Sequence, residues 1–298
     1  MAGLERWRHH DAANRVSAVA SEVRRVSVRG IEMEVQDVGR GERPFVLVHG
    51  YTGSRDDFRE AMPRLAALGR TLAVDQRGHG GSTNTGDASH YTLDGLAADL
   101  EAALTALDVG TCDLLGHSMG GMVALRFALA HPERVLSLVL MDTAARPFRL
   151  MPPTVLEGAR AVIEARGMEG LFEVMRAGDR PRAEASHRFE ETLGSDRYWD
   201  RIGAKLRQMD PAAFVTLGGA QLEGVLERLP EIRCPTLVLV GAQDLPFIDA
   251  ADELARGIPG AIQVTIPDAA HSPQHENPDA WLAAVSDHLA RVRARGRP

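Results

Sequence analysis

The chain has 298 residues, 44% of them hydrophobic and 25% charged, with a formal net charge of -7 and a pI near 5.9. That length accommodates one large α/β domain carrying an insertion, and the acidic balance argues against nucleic acid or an anionic membrane as the main partner, because both call for a basic surface. No apolar run reaches the ~18 residues that a membrane-spanning helix needs, so no span is expected.

Residues 1–25 are rich in Arg and Ala but lack an apolar stretch followed by a small-residue cleavage site. They read as an N-terminal extension, a peripheral helix or arm, rather than a secretion signal. Their arginines suggest a transit peptide, against which Glu5, Asp11 and Glu22 weigh. Val26 to Val38 alternates loosely and breaks at Arg29-Gly30, which predicts a hairpin at a sheet edge. Phe45 to Val48 is a short buried strand that ends in His49-Gly50-Tyr51-Thr52-Gly53-Ser54. Asp56 to Leu68 has helical period, and Thr71 to Val74 is the next strand, ending in Asp75-Gln76-Arg77-Gly78-His79-Gly80. A structural loop with an internal Arg77 to Asp75 pair is favoured there over a carboxylate or phosphate clamp, and His79 is read as structural too. Tyr91 to Leu107 predicts an amphipathic helix with Leu93, Leu96, Leu100 and Leu104 on one face.

The chain is organised around Leu114-Leu115-Gly116-His117-Ser118-Met119-Gly120-Gly121, where an apolar run stops at a serine and a helical pattern, Met122 to Ala130, begins. A strand that turns into a helix within one or two residues holds the intervening serine in a strained conformation with its hydroxyl exposed, and glycines on both sides avoid clashes across the turn. Glycines also punctuate plain strand-to-helix turns without chemistry, so the pentapeptide needs its context. Val135 to Met141 is a further strand, ending in Asp142-Thr143. Short buried strands separated by helical segments predict a parallel sheet with crossover helices.

From Ala144 to about Phe214 strand signals vanish, and four helical pieces follow at 154–166, 169–176, 182–193 and 196–209, punctuated by Pro147, Pro152, Pro153, Pro181 and Pro211. An all-helical insert of this size reads as a lid over the strand ends, where open α/β sheets bind ligands. Its methionines, Met151, Met168, Met175 and Met209, are either an adaptable pocket lining or ordinary core. Its arginines, Arg146, Arg149, Arg176 and Arg180, are either carboxylate ligands or solvated surface. The sheet resumes at Thr236 to Gly241, followed by Ala242-Gln243-Asp244, a helix from Ile248 to Gly257, a strand from Ala261 to Ile266, and Ala270-His271-Ser272.

A serine hydroxyl is a poor nucleophile until a base takes its proton, and the base works best when a carboxylate fixes its tautomer. Ser118, His271 and Asp244 fit these three roles, each leaving the carboxyl end of a strand, in the chain order Ser, Asp, His. Acyl transfer also needs two backbone donors for the developing oxyanion, for which the N–H groups of Tyr51 and Met119 are the candidates. Asp244 as a helix cap and His271 in a satisfied turn are the plainer readings. Asp142 competes for the acid role, and His275 is read as an outer or surface residue. Cys112 and Cys234 border strands without close spacing, so buried thiols in a reducing compartment, and a cytoplasmic location, are expected. No metal-ligand spacing occurs, and no cofactor is expected.

Together, His49-Gly50, Asp75-x-Arg-Gly-His-Gly, Gly116-His-Ser118-Met-Gly-Gly, Gly241-x-x-Asp244 and Ala270-His271-Ser272 resemble the landmarks of the α/β-hydrolase superfamily, from about Val26 to the final helix, Asp279 to Arg293. The resemblance implies an eight-stranded, mostly parallel sheet flanked by helices with a helical cap after the sixth strand: core at 26–143 and 215–298, cap at 144–214. It implies a serine hydrolase without metal or organic cofactor, and a serine at the elbow makes dehalogenase and epoxide-hydrolase activities unlike this chain. Leu245-Pro246-Phe247 departs from the more polar stretch usual after the acid and is expected to alter the pocket wall. The expected substrate is a small, largely apolar ester or lactone, touched by His117, Arg146, Met151 and Met175. The alternatives are carbon–carbon cleavage of a vinylogous diketone bound through a lid arginine, or a ligand receptor with vestigial hydrolysis. A homodimer is the one macromolecular association left open.

Overall fold

The computed structural model describes residues 21–178, 182–219 and 223–294. Eight strands, β1 (Ser21–Val28), β2 (Ile31–Val38), β3 (Phe45–Val48), β4 (Thr71–Val74), β5 (Cys112–His117), β6 (Val135–Met141), β7 (Thr236–Gly241) and β8 (Ile262–Ile266), form one sheet in the order β1-β2-β4-β3-β5-β6-β7-β8. The β1–β2 and β2–β4 pairs are antiparallel and all other pairs parallel. This is the mostly parallel sheet the resemblance implies. Strand β1 begins at Ser21, so the last five residues assigned to the extension belong to the sheet, while residues 1–20 lie outside the described residues.

Side-chain alternation divides the core between the two faces of the sheet. Val46, Val48, Leu114, Leu138, Val238 and Val240 point into a cluster with α2 (Leu93–Ala106), α3 (Met119–Ala130) and α8 (Leu245–Gly257). Phe45, Leu47, Leu115, Val139, Leu237 and Leu239 point into the opposite cluster with α1 (Met62–Ala66) and α10 (Pro278–Ala294), whose Trp281 is 1% exposed. A strand covered on both faces gains by being apolar at every position, which is why β3 reads as an unbroken hydrophobic run. Each fully buried Leu or Val contributes about 1.5–3 kcal/mol.

Helix α2 carries Leu93, Leu96, Leu100 and Leu104 buried, as its periodicity predicts, and starts at an N-cap Thr92 whose hydroxyl accepts the Gly95 N–H at 3.0 Å. The expected helix over 56–68 is instead a 3₁₀ turn at Arg55–Phe58 and the five-residue α1. Its local cause is Ser54, which caps the 3₁₀ turn and forms a capping box with Asp57, after which Pro63 starts α1 afresh.

Between β6 and β7 lie α4 (Pro153–Ala177), α5 (Glu184–Leu193), α6 (Ser195–Gln208) and α7 (Pro211–Gly219). Helix α4 is kinked at Gly167, whose φ of 66° lies outside the helical region, and this divides it as the sequence pattern predicts. The expected boundary at Phe214 cuts through α7. Pro211 opens that helix rather than ending one, and Asp210 caps it by accepting the Ala212 N–H at 2.8 Å. Helix α9 (Pro273–Glu276) precedes α10. Among the described residues no helix is long and apolar enough to cross a membrane.

Candidate active site

Five of the parallel strands deliver loops to one edge of the sheet: Gly50-Tyr51 after β3, Ser118 after β5, Asp142 after β6, Asp244 after β7 and His271 after β8. Ser118 has φ 53° and ψ -121°, a conformation that costs a non-glycine residue energy and persists only where its surroundings dictate it. Those surroundings leave no room. A Cβ on Gly120 would stand 2.4 Å from the carbonyl oxygens of Val48 and His49, and one on Gly116 would stand 2.3 Å from the Gly120 carbonyl oxygen. Thr143 Oγ1 adds a hydrogen bond to the Ser118 carbonyl at 2.7 Å.

The expected polar residues meet. His271 Nε2 lies 3.0 Å from Ser118 Oγ, and His271 Nδ1 lies 2.8 Å from Asp244 Oδ2. Asp244 stands at the N-cap position of α8 but makes no side-chain cap bond, so its carboxylate serves the histidine and not the helix. The Nδ1–H tautomer satisfies this geometry: Nδ1 donates to the carboxylate, and Nε2 accepts from the serine hydroxyl.

The loop that carries His271 is tied on both sides. Glu276 Oε2 accepts the N–H groups of Ala270 (2.6 Å) and Ser272 (3.1 Å), and His117 Nε2 donates to the His271 carbonyl at 2.7 Å. Phe247 packs against the imidazole in a tilted arrangement with centroids 4.9 Å apart and meets Phe148 at 5.0 Å, so the departure after Asp244 does form part of the pocket wall. Glu276 was not singled out by sequence reasoning. Its signal was the Ser272-Pro273 helix start, with an acid one position beyond the usual capping-box spacing.

The β3 loop passes directly over the serine: a Cβ on Gly50 would stand 3.2 Å from Ser118 Cβ. His49 Nδ1 donates to the Gly50 carbonyl (2.8 Å) while its Nε2 accepts the Gln76 N–H (3.1 Å), and His79 Nε2 approaches the Tyr51 carbonyl at 2.6 Å. His79 is thus structural, as expected, but what it supports is the loop bearing Tyr51. Among the described residues the N–H groups of Tyr51 and Met119 meet no protein acceptor. Burial holds His49 and His117 near about 3, far below an ordinary imidazole, so both are neutral at physiological pH.

A cavity of about 410 Å³ opens on Ser118 and His271, its apolar wall built from Tyr51, Phe148, Leu150, Pro246 and Phe247. A second chamber of about 450 Å³ shares Asp57, Lys205, His271, Ser272 and His275 with it and runs under α5 and α6 past Phe189 and Tyr198. Lys205 Nζ lies 2.6 Å from Asp57 Oδ1. Burial opposes ionisation of Asp57, but Lys205 outweighs it and lowers the carboxyl to about 2. His275, expected as an outer or surface residue, lines both chambers, stacks on Phe189 at 5.2 Å, and is lowered by burial to about 4.

Four expected contacts need correction: those of Arg146, Met151 and Met175 with substrate, and that of Arg77 with Asp75. Of the residues expected to touch substrate, only His117 lines the cavity over Ser118. Arg146 turns away from it to pair with Glu253 (Nε to Oε2, 2.7 Å), and Met151 and Met175 pack against the core beneath the insert. Arg180 lies outside the described residues. Arg77 does not pair with Asp75: it reaches Asp99 on α2 through two bonds of 2.6 and 2.7 Å, while Asp75 accepts the Arg55 N–H (2.7 Å), pairs with the Arg55 guanidinium and accepts the Gly81 N–H (2.9 Å). Cys112 and Cys234 are free thiols, and burial raises them to about 12 and about 11.

A strained serine on the carboxyl edge of a doubly covered parallel sheet, bonded to a histidine that is bonded in turn to an acid, defines a class of hydrolytic scaffold. Residues 43–278 match the model of the alpha/beta hydrolase fold family, and the chain belongs to that family. It is 30% identical to the 2-hydroxy-6-oxononadienedioate/2-hydroxy-6-oxononatrienedioate hydrolase of Klebsiella pneumoniae over 89% of this chain and 93% of that protein. The structure of a thermophilic esterase from Thermogutta terrifontis superposes with a TM-score of 0.73 at 30% identity, covering 93% of this chain and 99% of the esterase. The enol-lactonase from Burkholderia xenovorans gives 0.75 at 25% identity, covering 90% and 100%. The protein is a hydrolase by fold and by likeness.

Proposed function

We propose that the protein is a serine hydrolase of small, neutral, largely apolar carboxylic esters or lactones, acting through an acyl-enzyme. The observation that carries this reading is the continuous relay from Ser118 Oγ through His271 to Asp244, with distances of 3.0 and 2.8 Å. In the first half-reaction His271 Nε2 takes the hydroxyl proton as Ser118 Oγ attacks the carbonyl carbon. Asp244 holds the imidazole in the Nδ1–H tautomer and stabilises the imidazolium. The N–H groups of Tyr51 and Met119 donate to the oxyanion. His271 then returns its proton to the leaving alkoxide. In the second half-reaction it activates a water that releases the acid. The helical insert acts as a lid whose inner surface, with Phe148 and Phe247, excludes bulk water from the relay.

A carbon–carbon hydrolase is the second reading, supported by the name of the Klebsiella relative, which denotes a dioate. A dioate needs a cation for its distal carboxylate. Of the described residues around the cavity over Ser118, Lys205 is the cation, and the adjoining chamber adds Arg59 and Arg201; each is already paired, with Asp57, Asp56 and Glu60 respectively. This favours a neutral substrate. Hydrolysis of p-nitrophenyl esters of increasing chain length tests the choice: turnover should be measurable on short to medium chains and fall by roughly 10⁴–10⁶-fold in Ser118→Ala. Turnover in Ser118→Ala close to that of the native protein would overturn the proposal.

A further inference from the structure

Asp142 is the first residue after β6, is 1% exposed, and is held at φ 47°, a left-handed backbone conformation uncommon outside glycine. Its Oδ1 accepts the Gly241 N–H at 2.9 Å, and its own N–H donates to the Leu239 carbonyl. Its Oδ2 is buried and meets no donor among the described residues. The Asp142 carboxyl neighbours that of Asp244: one oxygen of each aspartate and a ring nitrogen of His271 all lie within 4.8 Å of one another. A buried acceptor facing another acceptor is costly if both groups are ionised, and becomes a hydrogen bond if one is protonated.

We propose that Asp142 is a neutral carboxylic acid at physiological pH whose Oδ2–H donates to Asp244, so that the two aspartates share one proton and one negative charge. The proton belongs on Asp142 because Asp244 already accepts the Nδ1–H of His271 and gains from being charged. The charged groups acting on Asp142 are acidic: Asp244 from the β7 loop and Glu276 from α9, with His271 of the β8 loop beyond them. Burial first, and the Asp244 charge second, push its carboxyl well above the usual range. Asp142 is therefore a positioning residue. It fixes the Asp244 carboxylate toward His271 and keeps the pair at a single negative charge. If Asp244 lost its charge, the repulsion would be gone, and Asp142 would ionise close enough to His271 to stabilise the imidazolium in its place.

The proposal rests on the serine hydrolase reading for its kinetic test but not for its spectroscopic one. Asp142→Leu should lower kcat about ten-fold with KM unchanged, whereas Asp142→Asn, whose amide can donate the same hydrogen bond, should restore kcat to within about three-fold of native. Asp244→Asn should retain measurable turnover, and the Asp142→Asn/Asp244→Asn pair should lose at least a further ten-fold, because neither position then holds a charge. Infrared difference spectroscopy of the native protein at neutral pH should show the carbonyl stretch of a protonated carboxyl that disappears in Asp142→Asn. If that band is absent, or if Asn at position 142 rescues nothing that Leu loses, Asp142 is not a protonated donor. A native protein without esterase turnover would sink the hydrolase reading alone, and the infrared band would still decide the protonation state.

Discussion

Around His271 the sheet edge is closed by short bonds from three side chains: Glu276 holds the N–H groups before and after the histidine, His117 holds its carbonyl, and Asp244 holds its ring. The insert meets that same edge through bonds that each join one of its residues to a core loop. The Tyr51 hydroxyl donates to the Phe214 carbonyl, Lys205 pairs with Asp57, Ser186 donates to Glu276 at 2.6 Å, and the Ala185 N–H donates to Gln243 at 2.8 Å. The first region is over-determined, as a site must be to hold a strained serine. The second is joined to the core by these bonds and by others, among them Tyr91 to Asp210 and Arg188 to Asp268.

Replacing Glu276 by Ala strikes the over-determined region and should have the largest effect of any change outside Ser118, His271 and Asp244: kcat should fall by about ten- to a hundred-fold, since a misplacement of ~1 Å at the base is enough. Steady-state kinetics on an activated ester checks this, and an unchanged kcat would show that the loop holds its shape without the clamp. Acidification acts through four buried histidines, three of them at this edge and His288 on α10. Burial lowers His49 and His117 to about 3 and His275 and His288 to about 4, all below the ordinary 6.5. The unfolded chain therefore binds protons below pH 6.5 that the native chain refuses, and stability is fully present above 6.5 and lost as pH falls toward 4. Asp142 and Asp75, raised by burial, act in the opposite sense but involve at most two protons. Thermal unfolding should show Tm falling continuously from pH 6.5 to 4; a flat Tm across that window would contradict neutral buried histidines.

Two substitutions probe the insert. Tyr51→Phe removes one tie between the β3 loop and α7 while leaving the Tyr51 N–H in place, and should cost about 1 kcal/mol, a several-fold loss in kcat/KM. An unchanged kcat/KM would mean that this tie is not used to seat the insert. Arg146→Ala should have the smallest effect, within two-fold in KM, because its partner is Glu253 at a half-exposed surface site. A large rise in KM for a carboxylate-bearing substrate would instead revive the carbon–carbon reading.

The same contrast explains what the sequence discloses. Strands β3 and β5, the Gly116–Gly120 elbow and the order Ser118, Asp244, His271 are legible because each is a local pattern imposed by burial on both faces or by a tight turn. The insert's helices are legible as periods, but which face of each looks into the cavity depends on how they dock, and Arg146, Met151 and Met175 were assigned to the wrong side for that reason. Proximity along the chain also misled. Arg77 sits two residues from Asp75 yet pairs with Asp99, and Asp75 is neutralised by Arg55, twenty residues earlier in the loop after β3. Pro211 marked a break in the pattern, but Asp210-Pro211 was a helix start.

The central claim is that Ser118 is activated by His271 in the native fold. Intact-protein mass spectrometry after exposure to a fluorophosphonate tests it most directly, because the reagent reports an activated serine whatever the natural substrate is. One adduct on the native protein, absent in Ser118→Ala and formed far more slowly in His271→Ala, is the predicted result. No adduct on a folded native protein, or an adduct that persists in Ser118→Ala, would contradict it.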